Sequence, residues 1–412
     1  FIIEGKKTLN GEVQISPAKN SLLPLMAASL LTEEKINLLE VPSLRDIETM
    51  IRLLNSLGVQ SNWNDSSLEL DASQTHNFEA KYDLVRTMRA SIFVLGPLLT
   101  KYQKARVSLP GGCAIGARPI DIHLDGLKKM GAKIKLEKGY VNAECSKLKG
   151  CKIPLSFPSV GATENLMMAA TLAEGETIIE NAAMEPEIQD LGSMLQKMGA
   201  KIEGLGSSKI GIQGVESLNG CEHRSIGDRI EAGTFLMAAL ATRGEVFLKG
   251  IEKNSLNQVI ETLISMGAKI ESQKEGLRVF PSDLKSCKID TAPYPGFPTD
   301  LQAQMMSLML MVPGTSIMTE YIFENRFMHV PELIRMGAEI ELKGPTAIVQ
   351  GGKTLKGAPV MCTDLRASAA LVIAGLCAED ITQVSRVYHI DRGYNRIDLK
   401  LKELGASIER VS

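Results

Sequence analysis

A glycine recurs six times in the same company. The triplets Leu57-Gly58-Val59, Met130-Gly131-Ala132, Met198-Gly199-Ala200, Met266-Gly267-Ala268, Met336-Gly337-Ala338 and Leu404-Gly405-Ala406 place these glycines 73, 68, 68, 70 and 68 residues apart. A repeat of that regularity constrains the fold more than any other feature, because every copy has to build the same supersecondary unit. An amphipathic run precedes each glycine, as in Ile47, Ile51, Leu54 and Leu57. The glycine then suits the left-handed position that closes a helix. Alternation follows, as in Lys133-Ile134-Lys135-Leu136, the pattern of a half-buried strand. Ser43 is a plausible N-cap for the first of these helices.

A second helix, small and apolar, precedes each amphipathic one, over residues 20–31, 89–99, 164–173, 231–241, 302–312 and 366–377. These runs are dense in Ala, Leu and Met and almost free of charge after their first turn, so they read as buried all round. The Met-rich ones are plain core filling. At 412 residues the chain exceeds what one core usually supports, and six units divide as three and three. Each half is expected to bury its charge-free helices centrally, with sheets outside.

Charge and cysteine use exclude several functions. The chain carries 46 basic and 48 acidic residues for a net charge of −2. No basic stripe interleaved with aromatics argues for nucleic acid. No apolar run is long enough to span a membrane, and no signal-peptide pattern is present. The seven cysteines form no CxxC, and neither an HExxH motif nor ligand-spaced histidines occur, so no metal site or disulfide framework is expected. A soluble protein of the reducing cytoplasm is.

The chemistry concentrates where the repeat turns polar. The loop LPGGCAIGARP at 109–119 sets Cys113 among glycines, with Arg118 and then Pro119 leading into a helix through Ile120, Leu124 and Leu127. A thiol, a planar cation and a helix start close together suit an anionic ligand with proton transfer beside it. The buried helices likewise begin at charged or polar residues: Lys19-Asn20, Arg86 and Arg89, Ser159-Val160-Gly161, Asp228-Arg229, Thr299-Asp300, and Asp364 with Arg366. Asp228 and Asp364 suit N-caps. If the two halves face each other, Lys19, Arg118, Arg326, Arg366 and Arg392 make a strong anion site.

Segments 17–20 (PAKN), 109–119, 159–163 (SVGAT), 298–300 (PTD), 324–329 (ENRFMH), 364–368 (DLRAS) and 389–393 (HIDRG) together resemble the enolpyruvyl transferases. Within them they resemble the branch that acts on UDP-N-acetylglucosamine, and the likeness spans essentially the whole chain. It implies two inside-out α/β barrels of three repeats each. One comprises residues 19–226, and the other 1–18 with 227–412. It also implies transfer of the enolpyruvyl group of phosphoenolpyruvate to the sugar 3′-hydroxyl with loss of phosphate, without metal or organic cofactor. That is the first committed step of bacterial peptidoglycan synthesis.

By the same resemblance Cys113 is the catalytic proton donor and the fosfomycin target, and Asp300 is the base at the hydroxyl. Lys19, Arg118 and Arg392 match the phosphate contacts, and Arg326 and Arg366 those near the carboxylate. Asn20 matches a contact to sugar and reacting centre. Arg89, Arg118, Pro119, Ile120, Asp121, Ile122, Phe157, Pro158, Ser159, Val160, Gly161 and Ile322 match the nucleotide-sugar site. Glu185, Asp228 and Asp364 match polar positions lining the cleft. Phe93 and Phe157 depart from residues found in some members, Trp and Lys respectively, which leaves backbone contact as the role of 157. The sister transferase that uses shikimate 3-phosphate shares the repeats but not the Cys loop. A non-catalytic nucleotide-sugar-binding paralogue has no need of Cys113, Asp300 and Arg392. Closure on the nucleotide sugar is expected.

Overall fold

The computed structural model describes residues 1–64, 67–86, 88–109 and 120–411. The chain divides into two units, one made of 1–16 with 227–411 and the other of the described residues between 17 and 226. The sequence expectation put the first cut two residues later. Each unit has its own apolar core.

Among the described residues there are six four-stranded sheets, all of one pattern. Lys152–Pro154 runs parallel to Glu176–Glu180, which pairs antiparallel with Lys209–Gln213, which in turn pairs antiparallel with Lys201–Glu203. The chain's first residues complete sheets of the late repeats. Ile2–Glu4 lies between Ile381–Ser385 and Ser407–Glu409, and Asn10–Gln14 runs parallel to Glu245–Lys249. In the other unit, Cys221–Arg224 runs parallel to Ile36–Leu39.

The six apolar helices are α1 (Lys19–Ala28), α2 (Leu95–Tyr102), α3 (Val160–Ala170), α4 (Arg229–Ala241), α5 (Gln302–Met311) and α6 (Leu365–Cys377). In the unit holding 227–411, α4, α5 and α6 pack on one another. Local chemistry sets their starts. Asp228 accepts from the amides of Ile230 and Glu231 at 2.8 and 3.0 Å, and Asp364 from those of Arg366 and Ala367 at 2.8 and 3.0 Å. Ser159 caps α3, which therefore begins four residues before its expected start.

Residues 89–99 do not form one α-helix. Arg89–Val94 is 3₁₀, and α-helix begins at Leu95. Pro97 lacks the N–H that would bond residue 93, so the register restarts with the proline in a first turn. Ser43 is not an N-cap either: Leu44 holds that place, with no side-chain cap. The recurrent glycines all have positive φ, from 91 to 110°, as a helix-closing residue requires. The strand Lys133–Glu137 forms but is more exposed than expected, because it lies at its sheet's edge with Leu136 59% exposed. No helix of the described residues is long and apolar enough to cross a membrane.

Candidate active site

Cys113, Arg118 and Pro119 lie outside the described residues. The other expected residues are placed in two groups, one in each unit.

In the unit of residues 227–411, Asp300 sits in a 3₁₀ turn (Thr299–Leu301) at the head of α5. Its carboxylate accepts from two guanidinium groups. Arg326 Nη2 donates to Oδ1 at 2.6 Å, and Arg366 donates Nε and Nη2 to Oδ2 at 3.2 and 3.0 Å. Both arginines are almost fully buried, whereas Asp300 is partly open. Burial alone would lower the Arg366 pKa; Asp300, then Tyr394 and Asp228, outweigh it and raise the pKa, so the cation persists. Glu320, absent from the sequence reading, ties the site together. It accepts from Thr299 Oγ1 at 2.8 Å and from the amides of Ile322 and Phe323 at 2.8 and 3.1 Å. The turn carrying Asp300 and the loop carrying Ile322 are thus fixed to one carboxylate. Asp364 caps α6 beside Arg366, and Arg392 ends the 3₁₀ turn Val387–Arg392.

His329, fully buried near Arg326, is held neutral by desolvation, its pKa lowered to about 4. Two polar residues inside largely apolar helices, Thr234 of α4 and Gln304 of α5, meet the hydroxyl of Tyr394. The visible signal for them was a hydrogen-bonding side chain at an otherwise apolar position.

In the other unit Lys19 opens α1 and is buried against Asp46, Nζ to Oδ2 3.4 Å. Asp46 was not singled out in sequence, since nothing local marks it as the partner of a residue 27 positions away. Asn20 follows on α1, half-buried. Arg89, His123 and Gly161 come together. Burial, then the charge of Arg89, lowers the His123 pKa to about 4. The Gly161 Cα faces the His123 and Phe93 rings so closely that a Cβ would stand 3.4 Å from each. His123 Nδ1 is 3.1 Å from Asn165 Nδ2; with the ring neutral, Nδ1 accepts and the amide donates. Ile120 is buried, Asp121 exposed and Ile122 half-buried at the start of the helix Asp121–Lys129. Phe157 is exposed, and Pro158, Ser159 and Val160 are half-buried at the start of α3.

Glu185 is the N-cap residue of Pro186–Lys197, with proline in the first turn. It and Glu187 lie near Glu164, whose pKa burial, and then these two neighbours, raise well above the carboxylate norm. Among the described residues, no group of three or more His, Cys, Asp or Glu side chains is placed to hold a metal ion.

Solved structures define the class. The enolpyruvyl transferase NikO from Streptomyces tendae superposes with a TM-score of 0.90 at 24% identity, covering 99% of this chain and 98% of its own. The EPSP synthase from Acinetobacter baumannii gives 0.77 at 18%, covering 99% of each. The fold is therefore that of the enolpyruvyl transferases. A family model described as EPSP synthase (3-phosphoshikimate 1-carboxyvinyltransferase) matches residues 3–401, and the chain belongs to that family.

Relatives are far more similar in sequence than those structures. UDP-N-acetylglucosamine 1-carboxyvinyltransferase 2 of Carboxydothermus hydrogenoformans is 54% identical over 415 residues, 100% of this chain and 99% of its own. UDP-N-acetylglucosamine 1-carboxyvinyltransferase of Lawsonia intracellularis is 55% identical over 413 residues, with the same coverage.

Proposed function

We infer that this chain transfers the enolpyruvyl group of phosphoenolpyruvate to the 3′-hydroxyl of UDP-N-acetylglucosamine and releases phosphate. The observation that carries this reading is identity of 54–55% along the full chain with relatives bearing that activity in their names. The Asp300–Arg326–Arg366 cluster supports it, since a carboxylate base beside two guanidiniums suits an alcohol and an anionic partner.

The sugar hydroxyl adds to the central carbon of phosphoenolpyruvate while the methylene carbon gains a proton. Expulsion of phosphate with loss of a proton from that same carbon restores the double bond. Cys113 delivers the proton, and Asp300 takes the one from the hydroxyl. Lys19, Arg118 and Arg392 bind the phosphate, and Arg326 and Arg366 the carboxylate. Asn20 contacts the sugar. Arg89, the segment 118–122, the segment 157–161 and Ile322 hold the nucleotide sugar. Glu185, Asp228 and Asp364 line the site. The product feeds peptidoglycan, hence cell shape and division. The compartment is the cytoplasm, where the six described cysteines are free thiols.

The test is phosphate release from phosphoenolpyruvate with each acceptor in turn. Release is expected with UDP-N-acetylglucosamine and not with shikimate 3-phosphate; the reverse result replaces this reading with the sister activity. Fosfomycin provides a second check. Burial raises the pKa of Cys287 and Cys362 to about 11 and that of Cys377 to about 12, and it raises those of Cys145, Cys151 and Cys221 as well. Thiolate being the nucleophile, one adduct is expected by mass spectrometry, on Cys113. An adduct on another cysteine would remove the assignment.

A further inference from the structure

The side chain of Tyr394 is fully buried and touches all three buried helices of its unit. Its hydroxyl lies 2.8 Å from Thr234 Oγ1 on α4 and 3.2 Å from Gln304 Nε2 on α5. Its ring centroid lies 5.6 Å from the guanidinium carbon of Arg366 on α6, within cation–π range. The protons can be counted. Thr234 gives its only hydroxyl proton to the Ile230 carbonyl at 2.8 Å, so the phenol donates to Thr234 Oγ1. The phenol oxygen is then an acceptor for Gln304. Gln304 Nε2 also reaches the Asp300 carbonyl at 2.9 Å. Tyr394 therefore reaches the backbone of Asp300 through Gln304, and the Asp300 carboxylate through Arg366.

Arg366 depends on that bracing. Asp300 holds one edge of its guanidinium, Nε and Nη2. Nη1 is buried with no hydrogen-bond partner. An arginine bonded along one edge only retains freedom to pivot, and long side chains lose considerable entropy when confined to one rotamer. Tyr394 supplies the remaining confinement, through its ring face and through a polar contact of its hydroxyl with the guanidinium.

We propose that Tyr394, anchored by Thr234 and Gln304, is the positioning residue for Arg366 and sets how the protein binds the carboxylate of its phosphorylated three-carbon substrate. This rests on the functional reading above.

Tyr394→Phe keeps the ring and removes both the anchor and the hydroxyl contact with Arg366. The expected result is a KM for phosphoenolpyruvate raised about fivefold, with that for UDP-N-acetylglucosamine within about twofold of the parent. In an Arg366→Lys background, adding Tyr394→Phe should change the first KM by less than about twofold, because its target is already gone. Equal shifts in both KM values, or the same factor in both backgrounds, overturn the proposal. If Tyr394→Phe does not fold, Thr234→Val leaves the phenol in place, removes its acceptor together with the hydroxyl's bonds to Ile230 and Gln304, and should give the same split.

A readout free of turnover separates this proposal from the functional reading. In arginine-labelled protein, hydrogen exchange at the Arg366 Nε–H should speed up by about tenfold in Tyr394→Phe; unchanged exchange overturns the positioning role. Faster exchange in a protein whose parent releases no phosphate sustains the positioning role and rejects the functional reading.

Discussion

Glu164 shows what burial does to one residue. It lies on α3 with Oε1 buried and unpartnered, and its pKa is raised well above 4.5 by desolvation and then by Glu187 and Glu185. A carboxyl whose folded pKa exceeds its unfolded value contributes stability fully below the unfolded pKa. That contribution is lost as pH rises through the folded pKa. Glu164→Gln removes the titration, so its stability gain over the parent should be larger at about pH 8 than at about pH 5. Urea midpoints at the two values check this, and an equal offset at both would contradict it. The residue types of the candidate site were legible: Lys19, Asp300, Arg326 and Arg366 stand in motifs that the sequence exposes. Their partners were not. Asp46 binds Lys19 and Glu320 fixes the Asp300 turn, and both contacts arise from folding rather than from local pattern.

At the scale of elements, the repeated glycine divides into two cases. Gly131 has φ +96°, and a methyl group added to its Cα would meet nothing within 4 Å. At Gly58, φ +104°, a Cβ would stand 2.6 Å from the Gln74 carbonyl and the His76 ring. Gly131→Ala carries backbone strain alone, about 1 kcal/mol. Gly58→Ala adds a clash with backbone and should cost more, roughly 2–3 kcal/mol. Denaturant unfolding of the two variants measures the difference, and equal losses would show that the contact at Gly58 relaxes freely. Helix ends governed by their own residues were readable, as at Asp228 and Asp364. Ser43 misled because a serine near a helix start caps only when the backbone turns at that residue, and here the turn comes at Leu44. Lys133–Glu137 alternates like a half-buried strand, yet being at the sheet's edge leaves Leu136 in solvent.

At the scale of the whole molecule, each unit buries a neutral histidine, His123 in one and His329 in the other, both with pKa values lowered from 6.5 to about 4. Between those values the unfolded chain binds the proton more readily than the folded one. Stability from each histidine is therefore lost as pH falls from about 6.5 toward 4 and levels off below, by on the order of 3 kcal/mol at most. Glu164 acts in the opposite sense, so the variant and not the bare profile is diagnostic. His329→Gln should narrow the gap between stability at about pH 7 and at about pH 5, and an unchanged gap in guanidinium titrations would refute the assignment.

Sixfold periodicity, the division into three and three, and the apolar helices were all determined by the chain's order of residues, because hydrophobic spacing and glycine's access to positive φ act over a few neighbours. Tertiary structure decided which charges meet. Asp300 and Arg326 come from one repeat and Arg366 from the next, and Tyr394 joins Thr234 and Gln304 across as many as 160 residues. Burial strengthens such contacts by removing water, and only the folded chain determines which side chains share a dry space.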